Sequence, residues 1–509
     1  MTVLDRKISD TPLARPQPHA VVIGAGFGGL AAAIRLGARG YRVTLLERLD
    51  QPGGRARVFR QDGFTFDAGP TIITLPHLLD ELWALCGKRR EDHVAFKAMD
   101  PFYRIHFNDG SSIACSGDPD KMRAEVARLS PGDVEGYERL LVNSEEKYRF
   151  GFERLGQMEF SSLLTMLREL PGIALRGGHR TVGQGVKLYL RDPRLQTAFS
   201  YHPLLIGGNP HGTTAIYLLI LALERRYGVH FSMGGTGALI AGLADLVAGQ
   251  GNTIRLETEV EEILVRAGRA TGVRLKGGEE IPADIVVSGA DAAWTWRYLI
   301  KPEHRRRWTD AKIARARYSM GLFVWYFGTD RQWPEVEHHS LILGPRYKGL
   351  LRDIFRRHRL AEDFSLYLYR PTATDPSLAP PGCDAFYALS PVPHLDGTTD
   401  WAEAAEGYRA RIEARLEETV LPGLKGRVVS QRIMTPNEFR DDYLSYKGAG
   451  FSLEPTLFQS AWFRPHNKAE GIERLFFVGA GTHPGAGVPG VLTSARVVDE
   501  MVPDATALV

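Results

Sequence analysis

The sequence predicts an α/β protein that combines a Rossmann-type nucleotide-binding sheet, a second mixed sheet and a helical segment. Three observations predict this fold. A strand, a glycine-rich turn, a helix and a second strand follow one another over residues 20–54. Residues 118–230 carry apolar side chains at helical spacing, and residues 300–455 contain apolar and aromatic runs of strand length. The chain of 509 residues is long enough for about three domains.

The first element is residues 21–23, an apolar β-branched run that predicts a buried strand. Gly24, Gly26 and Gly29 then occupy the glycine positions of G-x-G-x-x-G. In this setting they permit a tight turn, close approach of the backbone to a pyrophosphate, and packing of the helix on the strand. Residues 42–46 predict the second strand, and Glu47 at its end can accept hydrogen bonds from ribose hydroxyls. The segment predicts a dinucleotide site and leaves NAD and FAD open.

The C-terminal part of the chain carries a second glycine-rich motif. A predicted strand at residues 475–478 enters the loop G-A-G-T-H-P-G-A-G-V-P-G, and a helix is expected to begin near Pro489. The N-terminus of a helix stabilises negative charge, which suits the electron-rich end of a reduced flavin.

Several motifs resemble those of one enzyme family. Pro52-Gly53-Gly54-Arg55 follows Glu47, and Asp67-Ala68-Gly69-Pro70-Thr71 comes next. Together with the C-terminal motif, these residues resemble the bacterial-type phytoene desaturases of purple and related proteobacteria, a branch of the amine oxidase superfamily. The resemblance covers essentially the whole chain after the N-terminal arm. It implies a Rossmann-type FAD domain like that of glutathione reductase and the amine oxidases, and dehydrogenation of the C40 isoprenoid phytoene by successive double-bond insertions to neurosporene or lycopene.

The resemblance also assigns residues to the cofactor. It places Arg55 near the flavin and diphosphate, and Val260 beside the adenine. The loop 482–490 holds no cysteine or tyrosine that could tether a flavin, so non-covalent FAD is expected. The expected cofactor-binding residues are Gly24, Gly26, Gly28, Gly29, Glu47, Gly54, Arg55, Gly69, Pro70, Thr71, Val260, Gly479, Gly481, Thr482, Gly487 and Val488.

The substrate side of the site rests on residues 201–210, which resemble the F-H-P-L-x-I-G-G-x-P segment of these desaturases. Tyr201, His202, Gly207 and Gly208 are therefore expected in the substrate channel. His483 is the candidate catalytic side chain, although the flavin is the expected hydride acceptor and a lone histidine is more often structural. No acid–base dyad is evident in the sequence, so flavin chemistry is expected to dominate.

The motifs also divide the chain. The expected parts are a flexible arm at 1–19, cofactor-domain segments at 20–117, 231–299 and 466–509, a membrane- or substrate-facing helical insertion at 118–230, and a substrate domain at 300–465.

Composition limits the partners. Hydrophobic residues make up 44%, and a net charge of +3 gives no indication of nucleic acid binding. Cys86, Cys115 and Cys383 are widely spaced, which predicts free thiols in a reducing cytoplasm and no metal site. No run approaches the roughly 18 apolar residues of a membrane-spanning helix. We therefore expect a cytoplasmic protein attached peripherally to the membrane surface, with oxygen or a quinone as the electron acceptor.

Alternatives remain at two points. The leucine-rich residues 158–175 predict either a packed helical subdomain or a surface that dips into lipid. The chain could also be an amine oxidase, or a non-enzymatic isoprenoid-binding protein of the escort type. Such binders lack intact cofactor motifs, whereas both motifs are intact here.

Overall fold

A computed structural model describes residues 17–508, so residues 1–16 of the predicted arm lie outside the described part of the chain. The strands are β1 (His19–Ile23), β2 (Arg42–Leu46), β3 (Val58–Gln61), β4 (Phe64–Asp67), β5 (Phe96–Ala98), β6 (Tyr103–His106), β7 (Ser112–Cys115), β8 (His230–Ser232), β9 (Thr253–Arg255), β10 (Val260–Arg266), β11 (Arg269–Leu275), β12 (Glu280–Pro282), β13 (Ile285–Ser288), β14 (Gly321–Thr329), β15 (His339–Ile342), β16 (Leu366–Tyr369), β17 (Asp384–Val392), β18 (Val428–Met434) and β19 (Leu475–Phe477). The α-helices are α1 (Phe27–Ala38), α2 (His77–Leu85), α3 (Pro119–Leu129), α4 (Val134–Tyr148), α5 (Leu163–Leu175), α6 (Val182–Val186), α7 (Pro193–Ala198), α8 (Leu219–Tyr227), α9 (Gly235–Gly249), α10 (Ala292–Trp294), α11 (Asp310–Arg315), α12 (Tyr347–Arg352), α13 (Trp401–Thr419), α14 (Pro436–Asp441) and α15 (Val488–Met501).

The first sheet is five-stranded and parallel, in the order β19-β13-β1-β2-β9. Its strands come from three distant parts of the chain, as the two glycine motifs predicted. Both faces are covered, because Ala20 and Val22 pack with α1, α9 and α15, whereas Val21 and Ile23 pack with β10, β11 and Trp296. Burial on both faces explains the apolar run at residues 20–23 of β1.

The second sheet has seven strands in the order β18-β14-β17-β16-β15-β6-β7, antiparallel except for the β15–β6 pair. Side chains of β14 alternate between its faces. Phe323, Trp325 and Phe327 pack with residues of α13, while Leu322 and Val324 lie on the opposite face. The strands β6 and β7, which fall within the first expected cofactor segment, pair here because β6 runs alongside β15.

Residues 118–230 are mainly helical, and a π-helical turn, Arg149–Arg154, continues α4. Helix α5 has two apolar faces: Met166 and Ile173 are buried, whereas Leu163, Leu164 and Leu167 are exposed. Within residues 17–508, no helix is both long and apolar enough to cross a membrane. The predicted fold class, with its Rossmann-type sheet, mixed sheet and helical insertion, is confirmed.

Candidate active site

The glycine turn after β1 forms one end of a large cavity. Gly24 has φ +87°, and a Cβ at Gly29 would lie 1.8 Å from the Gly24 carbonyl oxygen, so α1 begins directly against the turn. A Cβ at Gly26 would instead meet nothing closer than the Gly53 carbonyl oxygen at 3.7 Å. Gly26 therefore leaves open space beside the N-terminus of α1, where a diphosphate can approach the backbone.

Glu47 fixes this turn from the end of β2. Its carboxylate accepts hydrogen bonds from the backbone N–H groups of Ala25 at 2.7 Å and Leu49 at 3.0 Å. Burial raises the pKa of the carboxyl above its ordinary value, and the two N–H donors oppose that rise. The backbone N–H of Thr258 donates to the Glu47 carbonyl at 2.8 Å, which brings Val260 to the same end of the cavity. Glu47 and Val260 thus line the same end of the cavity, and their contacts with ribose and adenine stay predictions.

The G-G-R segment supplies a half-buried cation. Arg55 donates from Nη2 to Ser445 Oγ at 2.7 Å, and its Nε has no partner among the described residues. Burial lowers the pKa of this guanidinium. Gly54, Gly69, Pro70 and Thr71 line the cavity beside it. The unused donor fits an anionic diphosphate.

The C-terminal motif approaches from the other side. A Cβ at Gly28 would lie 3.2 Å from Gly479 Cα, so the two glycine motifs touch. Helix α15 begins at Val488, after Gly487, and both residues line the cavity. Gly479, Gly481 and Thr482 lie behind this lining; for example, Thr482 Oγ1 donates to the Pro465 carbonyl at 2.7 Å.

These features fit FAD. The glycine turn leaves room for a diphosphate, Arg55 offers positive charge, and the α15 N-terminus meets the cavity opposite them. The described residues contain no cluster of His, Cys, Asp and Glu that could hold a metal ion.

The same cavity continues into an apolar chamber. Its walls come from the β14 face with Leu322 and Val324, from the inner face of α5 with Met166 and Ile173, and from residues 216–223. Tyrosines of the second sheet complete the wall, and Tyr367 OH lies 2.7 Å from Thr71 Oγ1. A chamber of this kind holds a hydrocarbon by apolar burial and excludes water.

One carboxylate faces this chamber. Glu224 is buried at the end of α8, and its Oε2 accepts from Tyr103 OH at 2.8 Å and lies 3.2 Å from His202 Nε2. Burial raises the pKa of Tyr103 far above its ordinary value, so the phenol stays protonated and donates. Glu224 Oε1 has no hydrogen-bond partner within residues 17–508.

Of the four residues expected in the substrate channel, one lines the chamber and three lie behind its wall. Tyr201 lines the chamber and its ring packs edge-on to Tyr103. His202 lies behind it and contacts Glu224. Gly207 and Gly208 permit close packing instead, because a Cβ at Gly207 would lie 2.5 Å from Phe451 Cβ. His202 therefore does not line the chamber itself but contacts Glu224, which does.

His483 joins the cofactor loop to the helical insertion. Its Nε2 lies 2.9 Å from the Leu155 carbonyl oxygen, to which it donates, and Phe160 packs edge-on against the ring at 4.9 Å. Burial lowers the pKa of His483 to about 4, so the ring is neutral near pH 7. His483 also lines the cavity, and its buried Nδ1 has no partner among the described residues. Its catalytic role therefore stays a prediction.

The sequence analysis missed Glu224. It directly follows an apolar run at residues 213–223. Tyr217 and Ile220 precede it by seven and four residues and both line the chamber, so an acid at helical spacing on that face was the available signal.

The comparisons with known proteins agree with this geometry. The family described as flavin containing amine oxidoreductase matches residues 27–498. A neurosporene-forming phytoene desaturase from Cereibacter sphaeroides is 51% identical over 96% of this chain and 95% of its own length. A lycopene-forming phytoene desaturase from Pseudescherichia vulneris is 46% identical over 95% of this chain and 98% of its own.

Solved structures share the fold. An oxidoreductase from Methanosarcina mazei matches with a TM-score of 0.63 and 20% identity, over 95% of this chain and all of that one. Cyclohexylamine oxidase from Brevibacterium oxydans matches with a TM-score of 0.61 and 15% identity, over 97% of this chain and 99% of its own.

Proposed function

The chain belongs to the flavin-containing amine oxidoreductase family and, within it, to the bacterial phytoene desaturases, and from this premise we propose that it dehydrogenates phytoene. The product is neurosporene or lycopene, the two products named for these relatives. One observation carries the proposal: a single cavity runs from the dinucleotide cradle into an apolar chamber large enough to be lined by both sheets and the helical segment. A hydrocarbon and FAD can therefore meet in one enclosed space.

Different parts of the cavity have different roles in the reaction. Bound FAD supplies a two-electron acceptor that takes a hydride from an allylic carbon. Gly26, Glu47, Arg55 and the N-terminus of α15 would hold the cofactor, and the apolar walls would align the substrate and exclude water.

Each new double bond also releases one proton, and Glu224 Oε1 is the acceptor we assign. Tyr103 and His202 hold Oε2, whereas Oε1 accepts no hydrogen bond from the described residues, and Glu224 is part of the chamber lining. A carboxylate there also stabilises positive charge that develops on the substrate after hydride loss. His483 then serves to position the cofactor loop against the insertion rather than to take the proton.

The substrate dissolves in lipid, so we also propose that the exposed leucines of α5 meet a membrane surface. Leu164 and Leu175 are 76% and 85% exposed, while Met166 and Ile173 of the same helix line the chamber. One helix thus stands between bilayer and chamber. Oxygen or a membrane quinone would reoxidise the flavin.

The test is conversion of phytoene by the purified FAD-loaded protein in liposomes with a quinone, followed by chromatography of the pigments. We expect conjugated polyenes, and none from a Gly26→Val variant that lacks FAD. Hydrogen peroxide released from primary amines, without desaturation of phytoene, would overturn the proposal in favour of an amine oxidase.

A further inference from the structure

A second cavity lies on the helical segment, outside the active site. It is bounded by α4, the π-helical turn Arg149–Arg154, the end of α5 and α6. We call it the basic cavity because its lining contains one carboxylate, Glu146, and five cations: Lys147, Arg149, Arg154, Arg176 and Arg180. Such an excess of positive charge in a concave site is matched by an anionic ligand.

Three of these cations lack acidic partners in the described part of the chain. Lys147 is 4% exposed and donates to the side chain of Asn143 instead of to a carboxylate. Arg176 donates from Nη1 to the Gly172 carbonyl at 3.2 Å, while its buried Nε has no partner. Arg180 forms no ion pair with residues 17–508. Lys147 is buried, Arg176 is partly buried and Arg180 is exposed. The cost of an uncompensated charge therefore falls mainly on Lys147, and an anion bound here would lower it.

The other two arginines of the basic cavity, in contrast, form ion pairs with carboxylates. Arg149 pairs with Glu145 at 3.2 Å, and Arg154 pairs with Glu169 at 2.7 Å. Their charges are already balanced. The guanidinium of Arg176 is instead held over the ring of Phe150, with 4.3 Å between its Cζ and the ring centroid. This contact fixes the orientation of the cation without neutralising it. Burial lowers the pKa of Lys147 to about 8; the nearby Glu146 carboxylate opposes this shift, and the charges of Arg180 and Arg176 add to it.

The rim of the basic cavity is apolar. Leu175 and Leu188 belong to its lining and are 85% and 58% exposed. Leu175 is the last residue of α5, so the rim continues into the exposed leucines of that helix. A free phosphate ion would gain no favourable contact with apolar side chains, whereas a phospholipid carries acyl chains next to its phosphate and could bury them there.

We propose that the basic cavity binds the phosphate of an anionic phospholipid head group, with the acyl chains lying against Leu175, Leu188 and the exposed face of α5. The inference rests on the proposed attachment of α5 to a membrane. It adds a specific lipid class and the residues that recognise it. The π-helical turn separates the two cavities, since Gly151 and Phe152 line the chamber and Phe150 lines the basic cavity. A lipid bound there would hold a turn that also forms part of the chamber wall.

The first experiment compares flotation with vesicles of phosphatidylcholine alone and with vesicles that also contain phosphatidylglycerol. The FAD-loaded Arg176→Gln/Arg180→Gln protein should lose about fivefold in affinity per charge on the phosphatidylglycerol vesicles and nothing on the neutral ones. Arg60→Gln, in the exposed part of β3, removes one charge elsewhere and should leave the preference for phosphatidylglycerol intact. Equal binding of the double variant and the wild type to phosphatidylglycerol vesicles would overturn the proposal.

A second experiment identifies the source of the phosphate. Thermal unfolding is followed with dihexanoyl phosphatidylglycerol below its micelle concentration, and separately with inorganic phosphate. The short-chain lipid should raise the melting temperature of the wild type and not that of the single Arg180→Gln variant, and inorganic phosphate should have little effect. Equal shifts with both probes would replace the lipid site by a general phosphate site. Conversion of phytoene in detergent requires neither vesicles nor these probes. The desaturase function can therefore be tested independently of the lipid site.

Discussion

Replacing Gly26 separates cofactor binding from folding. Gly26 has φ −75° and ψ 178°, which any L-residue adopts, and an added Cβ would have 3.7 Å to its nearest neighbour. Gly26→Ala should therefore leave the apoprotein as stable as the wild type, or more stable by about 0.4–1 kcal/mol. The methyl group occupies the space that the diphosphate needs. Overpacking of about 1–3 kcal/mol weakens FAD binding by roughly five- to two-hundredfold, and Gly26→Val should abolish retention.

Gly29 is the matched control. Its Cβ would lie 1.8 Å from the Gly24 carbonyl oxygen, so Gly29→Ala must push α1 away from the turn and destabilise the apoprotein as well. The assay is thermal unfolding without FAD, together with titration of each apoprotein by quenching of FAD fluorescence. Wild-type FAD affinity in Gly26→Ala would refute the placement of the diphosphate. A lowered apoprotein melting temperature in that variant would refute the claim that the space is open.

Three further predictions concern the rest of the site. Glu224→Gln, with FAD content unchanged, should slow single-turnover flavin reduction by about 10²–10⁴-fold, as loss of a general base does; a loss below tenfold would remove its assigned role. His483→Gln should cost less than about tenfold in the same assay. Burial lowers the pKa of His483 to about 4, so the wild type must release a proton from this ring on folding below about pH 6.5. Its contribution to the free energy of unfolding is therefore full above about pH 6.5 and falls by up to about 3 kcal/mol towards pH 4. The free energy of unfolding of His483→Gln should decrease less over the same pH range. Urea titrations at both pH values measure this, and an unchanged pH slope in the variant contradicts it. Glutamate at Leu163, Leu164 and Leu167 should reduce recovery with neutral vesicles, and undiminished flotation would make α5 a packed helix without contact to lipid.

The local parts of the cofactor site could be predicted from the sequence. Gly24, Gly26 and Gly29 meet steric requirements within a few residues of one another, and Glu47 follows at the end of the adjacent strand. The Rossmann-type sheet follows from the same segment, because residues 20–23 of its first strand are apolar and buried on both faces. Strand bounds such as Arg42–Leu46 were accordingly predicted as observed.

The chamber and the basic cavity were decided by the tertiary structure alone. Glu224 faces a hydrocarbon chamber because Tyr103, 121 residues away, holds its carboxylate. His483 meets Leu155 across 328 residues, and that contact joins the cofactor loop to the helical insertion. Lys147 and Arg180 form one cation site only when α4 packs beside the end of α5. Sequence patterns report backbone geometry over one or two turns, whereas the charge and polarity of a site depend on which distant side chains packing brings together.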